Sequence, residues 1–314
     1  MPTGDASPPP ADKNCEVGTI SLVICTRNRA GSLAGCLEAI VRASQNEPNA
    51  LREVILVDNG SSDNTIELLQ KWQKAQEFDV VVLEEPAPGL ARARNFGLSR
   101  ARGEIIACTD DDCLIAEDYL SSMLSAFSRH SGLFLLGGRI ELGDLRDLPI
   151  TVKLDTEERV LNSKIMPGGF IMGANFALRR IVFDMVGPFD ERFGAGAKFR
   201  SAEDTDYLVR ARKLGISVIY DPEPTVLHFH GRRSVAEAKD LYAGYSFGDG
   251  AIFAKHFVRD ASIRYHIFNN FYWAFRDLFK TNDQLDLIFH RKNIFKLKWN
   301  IRGFISYFNS KLFL

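Results

Sequence analysis

The strongest constraint on the fold is an alternation of short apolar runs with helix-patterned segments over the first half of the chain. Residues 19–25, 53–57, 80–83 and 104–108 read as strands, and their continuous apolar character suits strands buried on both faces. Residues 32–42, 64–75, 90–99 and 118–130 carry apolar side chains at helical spacing, as at Leu33, Leu37, Ile40 and Val41. Four strand–helix units within about 110 residues predict an α/β fold, with a mostly parallel central sheet and helices on both faces. In such open sheets, ligands bind beyond the carboxyl ends of the strands. Thr26-Arg-Asn-Arg29, Asp58-Asn-Gly60 and Asp110-Asp-Asp112 each stand directly after a strand.

The second half is less regular. Residues 138–168 read as an irregular connection, 170–178 as a strand, 203–214 as a helix and 217–220 as a short strand, with helical pattern from about Ser234 to the end. The expected organisation is a disordered leader at 1–18, a catalytic domain at 19–233 and a helical region at 234–314. Within the catalytic domain, 19–137 is expected to bind nucleotide and 138–233 the acceptor.

Composition limits the partners. A net charge of −1 over 314 residues gives no bulk attraction to nucleic acid or to acidic membranes, so no nucleic-acid partner is expected and any such attraction must come from a local patch. The five cysteines form no CxxC pair and mostly sit in apolar runs, which suits buried free thiols in a reducing compartment. The first residues have no apolar core of a secretion signal, and no run of about 18 apolar residues predicts a membrane-spanning helix. A cytoplasmic location is the expectation, with peripheral attachment to the inner face of a membrane as its extension.

Several short stretches carry chemistry. Asp110, Asp111 and Asp112 crowd three carboxylates after a buried strand, a cost relieved by a hard divalent cation. The other reading of the triplet is an acidic helix start. Asp58 ends a Val-rich strand, where a carboxylate can accept from a base or ribose, or simply cap a turn. Arg92 and Arg94 follow Pro88-Gly89 at a helix start and suit a diphosphate, as does the Arg27-Asn28-Arg29 cluster. Exposed arginines are also common on solvated helices. Glu203, Asp204 and Asp206 open a predicted helix, either as caps or as a general base in a cleft. His228 and His230 are expected on opposite sides of their segment, so at most one joins a metal.

Eight stretches, ICTRNRAGSL, VILVDNGSSDNT, GLARARNFGL, IIACTDDDC, GGFIMGANFALRR, VGPFDERFG, AEDTDYLVRARKLG and VLHFH, together resemble the family 2 glycosyltransferases over residues 19–260. The resemblance implies a GT-A fold, Rossmann-like, with a C-terminal helical extension. It implies an inverting, metal-dependent sugar transfer from a UDP-, dTDP- or GDP-sugar to a sugar, lipid-linked or protein acceptor. Thr26, Arg27, Arg29, Asp58, Asn59, Arg94, Asn95, Asp110 and Asp111 would then serve the donor nucleotide. Asp112, with Asp110 and His228, would hold Mn²⁺ or Mg²⁺. Asp204, beside Glu203, would be the base, and Gly173, Ala174 and Asn175 would lie beside sugar and acceptor. The three consecutive aspartates leave the register of the metal pair open between Asp110, Asp111 and Asp112. Synthesis of a cell-surface polysaccharide or glycolipid is the expected setting.

Two other readings remain. A nucleotidyltransferase would also use an α/β sheet and acidic metal ligands, but residues 26–31 make a poor Gly-rich phosphate loop. A nucleotide-sugar-binding module without catalysis is the other. Near the end, residues 291–312 combine basic side chains with an apolar stripe at Ile294, Leu297, Ile301, Phe304, Ile305, Phe308 and Leu312. Such a helix either lies in a membrane interface or docks on the body of the protein.

Overall fold

The computed structural model describes residues 18–162, 165–279 and 291–311. The expected leader, apart from Gly18, lies outside the described residues. In chain order the elements are β1 (Ile20–Thr26), α1 (Ala34–Asn46), β2 (Leu51–Asp58), α2 (Thr65–Gln73), β3 (Val80–Glu84), α3 (Leu90–Leu98) and β4 (Ile105–Asp110). Then come β5 (Cys113–Ile115), α4 (Tyr119–Arg129), β6 (Phe134–Leu142), β7 (Arg159–Val160), β8 (Asn175–Arg179), α5 (Arg180–Val186), α6 (Glu203–Lys213) and β9 (Ser217–His228). Three helices follow: α7 (Val235–His256), α8 (Ala261–Asp277) and α9 (Lys292–Lys311).

The strands form one sheet in the order β3-β2-β1-β4-β8-β6-β9-β5, with β7 alongside β9. Strands β3, β2, β1 and β4 pair in parallel. β8 runs antiparallel between β4 and β6, and β6 pairs in parallel with β9. The α/β expectation holds, and the parallel half follows the predicted alternation.

Side-chain alternation in β1 explains the two covered faces. Ile20, Leu22 and Ile24 point into one apolar cluster with Leu33, Leu37 and Ile40 of α1, Leu69 of α2 and Met123 and Phe127 of α4. Val23 points into the other, with Ala91 and Leu98 of α3, Val182 of α5 and Tyr207 and Leu208 of α6. Each fully buried aliphatic side chain contributes about 1.5–3 kcal/mol, which is why both faces carry helices.

The second half departs from the sequence expectations. The stretch expected to be irregular from residue 138 opens inside β6, and the strand expected at 170–178 begins only at Asn175. β9 does not stop at Tyr220 but continues through Pro222 and Pro224 to His228. The register against β6 slips between Gly137 and Arg139, and this irregularity takes up the proline stretch without ending the strand. β5 and α5 are elements the pattern did not announce.

The helical region is attached through a third cluster, in which Phe193, Phe199 and Val209 meet Ala251, Ile252, Ile263 and Tyr307. α7 starts at a capping box of Ser234 and Glu237, and α8 at Asp260, whose carboxylate accepts from Ser262 N and Ile263 N. α7 and α9 touch backbone to backbone: a Cβ on Gly250 would strike the Asn300 carbonyl, and one on Gly303 would strike the Phe247 carbonyl. The apolar stripe of α9 is therefore divided. Tyr307 is buried and Phe304 packs on the third cluster, whereas Ile301, Ile305 and Phe308 stay exposed. Leu312 lies outside the described residues. No helix among the described residues is long and apolar enough to cross a membrane. Cys25, Cys36, Cys108 and Cys113 are free thiols, three of them buried.

Candidate active site

Strand β4 delivers the three aspartates to the carboxyl edge of the sheet, and β5 returns the chain antiparallel to β9, with Cys113 opposite His228. Phe229 N donates to the Asp112 carbonyl at 2.8 Å. This small ladder brings two residues 116 positions apart together: His228 Nε2 lies 3.3 Å from Asp112 Oδ1. On its other side, His228 Nδ1 lies 3.3 Å from the Thr151 carbonyl, which leaves Nε2 as the nitrogen that faces the cleft. Thr151 has φ of 54°, an unusual backbone for a β-branched residue.

The three carboxylates diverge. Asp110 accepts from Arg94 Nη2 at 2.9 Å. Asp111 turns toward β1, accepts from Thr26 Oγ1 at 2.7 Å and lies 3.3 Å from Arg29 Nε. Burial pushes its pKa up to about 6. Asp112 faces His228. Burial opposes its charge, yet the His228 ring and the Arg29 guanidinium hold it below the usual carboxylate range. Burial also opposes the charged form of His228, and Asp112 reverses that, raising the imidazole.

The opposite wall begins at α6. Arg200 and Ala202 both have positive φ, 67° and 70°, just before Glu203. Backbone held this way by non-glycine residues is costly and concentrates at functional sites. Glu203 is buried and bonded to Arg94 Nη1 at 2.7 Å, so one guanidinium joins the end of β4 to the start of α6. Burial and the adjacent Asp204 charge push Glu203 upward. Burial opposes the Arg94 charge, but Asp110 and Glu203 outweigh it and the guanidinium stays protonated. Gly173 leaves room for this bridge, since a Cβ there would stand 2.7 Å from both Arg94 terminal nitrogens. Asp204 accepts from Gly173 N at 3.2 Å and from Thr205 N at 2.6 Å, which fixes its carboxylate at the rim.

One cleft of about 650 Å³ is lined by Thr26, Arg27, Arg29, Asn59, Arg94 and Asp110 to Asp112 on one side. Gly173, Ala174, Glu203, Asp204 and His228 line it elsewhere. Several residues assigned from sequence do other work. Asn95 bonds the Phe189 amide and carbonyl and so anchors the loop after α5. Asn175 is fully buried and bonds the Arg139 and Pro224 carbonyls and the Tyr119 hydroxyl, which stitches β6 to β9. Asn59 spends its amide on Glu85, Ala87 and Gly89 backbone groups. Arg94 is not free for a diphosphate, because two carboxylates already meet its charge. Asp58 accepts from Ser61 N, while its Oδ1 is buried with no hydrogen-bond partner among the described residues; its neighbour Asn59, not Asp58 itself, lines the cleft. The two histidines do not face opposite sides: residues two apart in an extended chain share a face, and the His228 and His230 rings meet at 5.2 Å. His230 bonds the Leu148 carbonyl, so only His228 reaches Asp112.

The cleft extends to residues with no local signal in the sequence. Tyr245 and Asp249 of α7, His266 of α8 and Lys296 of α9 complete the far wall, with Arg200 and Arg232. The hint nearest to visible is Asp249, a carboxylate between Gly248 and Gly250 and the one acid in the second half of α7.

Two groups among the described residues gather three possible donors, and of these His130, Glu158 and Asp221 lie outside the lining of the cleft. Asp112, Cys113 and His228 offer donor atoms within 4.8 Å of one another. The Cys113 sulfur is a soft donor that hard cations such as Mn²⁺ and Mg²⁺ pass over in favour of oxygen and imidazole nitrogen. Asp112 and His228 remain: one oxygen, one nitrogen, and open positions for phosphate and water oxygens, a donor set suited to Mn²⁺ or Mg²⁺.

The profile of the family described as "Glycosyl transferase family 2" matches residues 21–187, just over half of the chain. Glycosyltransferase AglE of Haloferax volcanii is 28% identical over 234 residues, which are 74% of this chain and 73% of AglE. Poly-beta-1,6-N-acetyl-D-glucosamine synthase of Staphylococcus epidermidis is 29% identical over 123 residues, 39% of this chain and 29% of that protein, so the chain spans under a third of that relative. The structure of the mannosyltransferase PcManGT from Pyrobaculum calidifontis, in complex with GDP-Man and Mn²⁺, aligns with TM-score 0.57 and 17% identity over 93% of this chain and 74% of that one. S. aureus TarS 1–349 in complex with UDP gives 0.53 and 14% over 94% and 92%. These structures share the fold. The matched profile runs from β1 across the acidic turn to the end of α5, which sets aside the nucleotidyltransferase reading: the chain belongs to glycosyl transferase family 2.

Proposed function

We propose that the chain transfers a sugar from a nucleoside-diphosphate sugar to an acceptor hydroxyl, with inversion and with Mn²⁺ or Mg²⁺ required. The observation that carries the reading is the convergence of Asp112 with His228, and of Asp204, on one cleft. Asp112 and His228 would hold the metal, which would supply positive charge opposite the departing diphosphate. Arg27, exposed at the cleft and without an ion-pair partner among the described residues, adds to it. Asp204, oriented by Gly173 N and Thr205 N, takes the proton of the acceptor hydroxyl as that oxygen attacks the anomeric carbon. The bond from that carbon to the diphosphate breaks on the opposite side, so a single displacement inverts the centre and no protein nucleophile is used. Glu203 and Arg94 position the walls on either side. The donor is a UDP-, GDP- or dTDP-sugar. Similarity to a poly-beta-1,6-N-acetyl-D-glucosamine synthase supports a role in building a cell-surface polysaccharide or glycolipid.

The test is release of nucleoside diphosphate from a panel of these donors with Mn²⁺ or Mg²⁺, followed with and without EDTA. One donor is expected to turn over, EDTA to abolish release, and Asp204→Asn to lower the rate by about 10²–10⁴-fold with nucleotide affinity retained. Unchanged turnover in Asp204→Asn would remove it as the base. Tight nucleotide binding without release, in the presence of every acceptor class tried, would favour a binding module.

A further inference from the structure

α8 is an amphipathic helix with its apolar face outward. Ile263, Ala274 and Asp277 face the protein and are buried, and His266 on that side reaches the cleft. On the other side stand Tyr265 (63% exposed), Phe268 (69%), Phe271 (50%), Phe275 (58%) and Phe279 (71%). Their spacing of three and four residues makes one stripe. Ile301, Ile305 and Phe308 of α9 are exposed as well. Monomeric soluble proteins rarely leave so many large aromatic side chains in water along one helix.

The charges around the stripe have one sign. Arg259, Arg264, Arg276, Arg291, Lys292, Lys298 and Arg302 stand on or beside these two helices. The two carboxylates described in the same segments, Asp260 and Asp277, are both buried: Asp260 caps α8 and pairs with Arg212, and Asp277 accepts from Asn293 N and Ile294 N at the start of α9. No exposed acid offsets the cations among the described residues of α8 and α9. Face-to-face pairing of two copies would therefore set arginines and lysines against themselves. An anionic lipid surface meets both properties: aromatic rings sit at the depth of the headgroups, and basic side chains reach the phosphates.

We propose that the aromatic face of α8, flanked by the exposed edge of α9, docks the protein on an anionic lipid bilayer. This moves the membrane contact from the apolar stripe of residues 291–312, which is half buried against α7, to a helix the sequence reading left unassigned. His266 and Lys296 line the cleft from these two helices, so docking holds the cleft about one helix diameter, ~10 Å, from the lipid.

The full chain is sedimented with vesicles of phosphatidylcholine alone and of equal parts phosphatidylcholine and phosphatidylglycerol. Binding to the anionic vesicles is expected, roughly tenfold weaker to the neutral ones, and reduced by salt. A chain carrying Phe268→Ser, Phe271→Ser and Phe275→Ser together should lose binding, and Arg264→Gln with Arg276→Gln should weaken it only on anionic vesicles. Far-UV circular dichroism and nucleotide binding by calorimetry serve as controls and should match the parent, because none of these side chains lines the cleft. Failure of the parent to sediment with anionic vesicles overturns the proposal, as does equal binding by the triple variant. A dimer seen by light scattering and dissolved by the triple substitution assigns the face to a second copy and also overturns it. Loss of nucleotide binding by the parent would count against the transferase reading instead.

Discussion

Arg94 is the residue on which the two walls of the cleft depend. Its side chain is 4% exposed and bonds carboxylates 16 positions ahead and 109 positions ahead in sequence. Arg94→Met leaves Asp110 and Glu203 facing each other without a counter-charge, a loss of about 3–5 kcal/mol that urea unfolding at neutral pH would measure. The loss should shrink toward acid pH, because Glu203, already pushed upward, takes a proton more readily than an exposed carboxylate. The sequence offered an arginine near a helix start, and a diphosphate was the natural partner; the carboxylates that claim it are too distant for any local pattern to announce. His266 makes a second residue-scale prediction. Burial, and then the Lys296 charge, lower its pKa from 6.5 to about 4. The unfolded chain binds the proton first, so this group's contribution is present above 6.5 and lost as pH falls toward 4. His266→Phe should flatten the fall in unfolding midpoint over that window; a curve identical to the parent's would show that the ring titrates normally.

The elements that were legible are those with strong local patterns. β1, β2 and β4 are buried on both faces and read as continuous apolar runs, and α1, α2 and α4 cover one side of them. β5 is only three residues long, yet it sets the register that seats His228 beside Asp112. So short a strand carries no periodicity of its own; the pair His228 and His230 could be singled out locally, but the choice of His228 came only through the family resemblance. β9 hid for another reason: its prolines read as a turn, whereas the irregularity opposite Gly137 absorbs them. Among the helices, the contact of α7 with α9 is the tightest test of packing. Gly250→Val would force the Asn300 carbonyl away, and overpacking of this kind costs about 1–3 kcal/mol. Thermal unfolding should show a lower midpoint, and an unchanged midpoint would mean that α9 yields without cost.

At the scale of the whole molecule, a net charge near zero conceals a divided surface: the sheet body holds most of the acids, and among the described residues the exposed charges of α8 and α9 are all cations. Composition averages over that division, so the bulk number, read as giving no overall pull toward polyanions, did not reveal the basic, aromatic side. The far wall of the cleft was equally invisible, because Asp249, His266 and Lys296 come from three helices whose mutual placement is set by packing, not by motif. The bridge through Arg94 carries a consequence for recombination. Segments 19–137 and 138–233, expected from sequence as a donor half and an acceptor half, share β6 (Phe134–Leu142) and interleave β8 in a single sheet. A chimera joining them from different parents inherits Arg94 and Asp110 from one and Glu203 and Gly173 from the other. Only parents that agree at all four positions can be spliced, and that agreement, more than overall similarity, decides which hybrids retain a closed cleft.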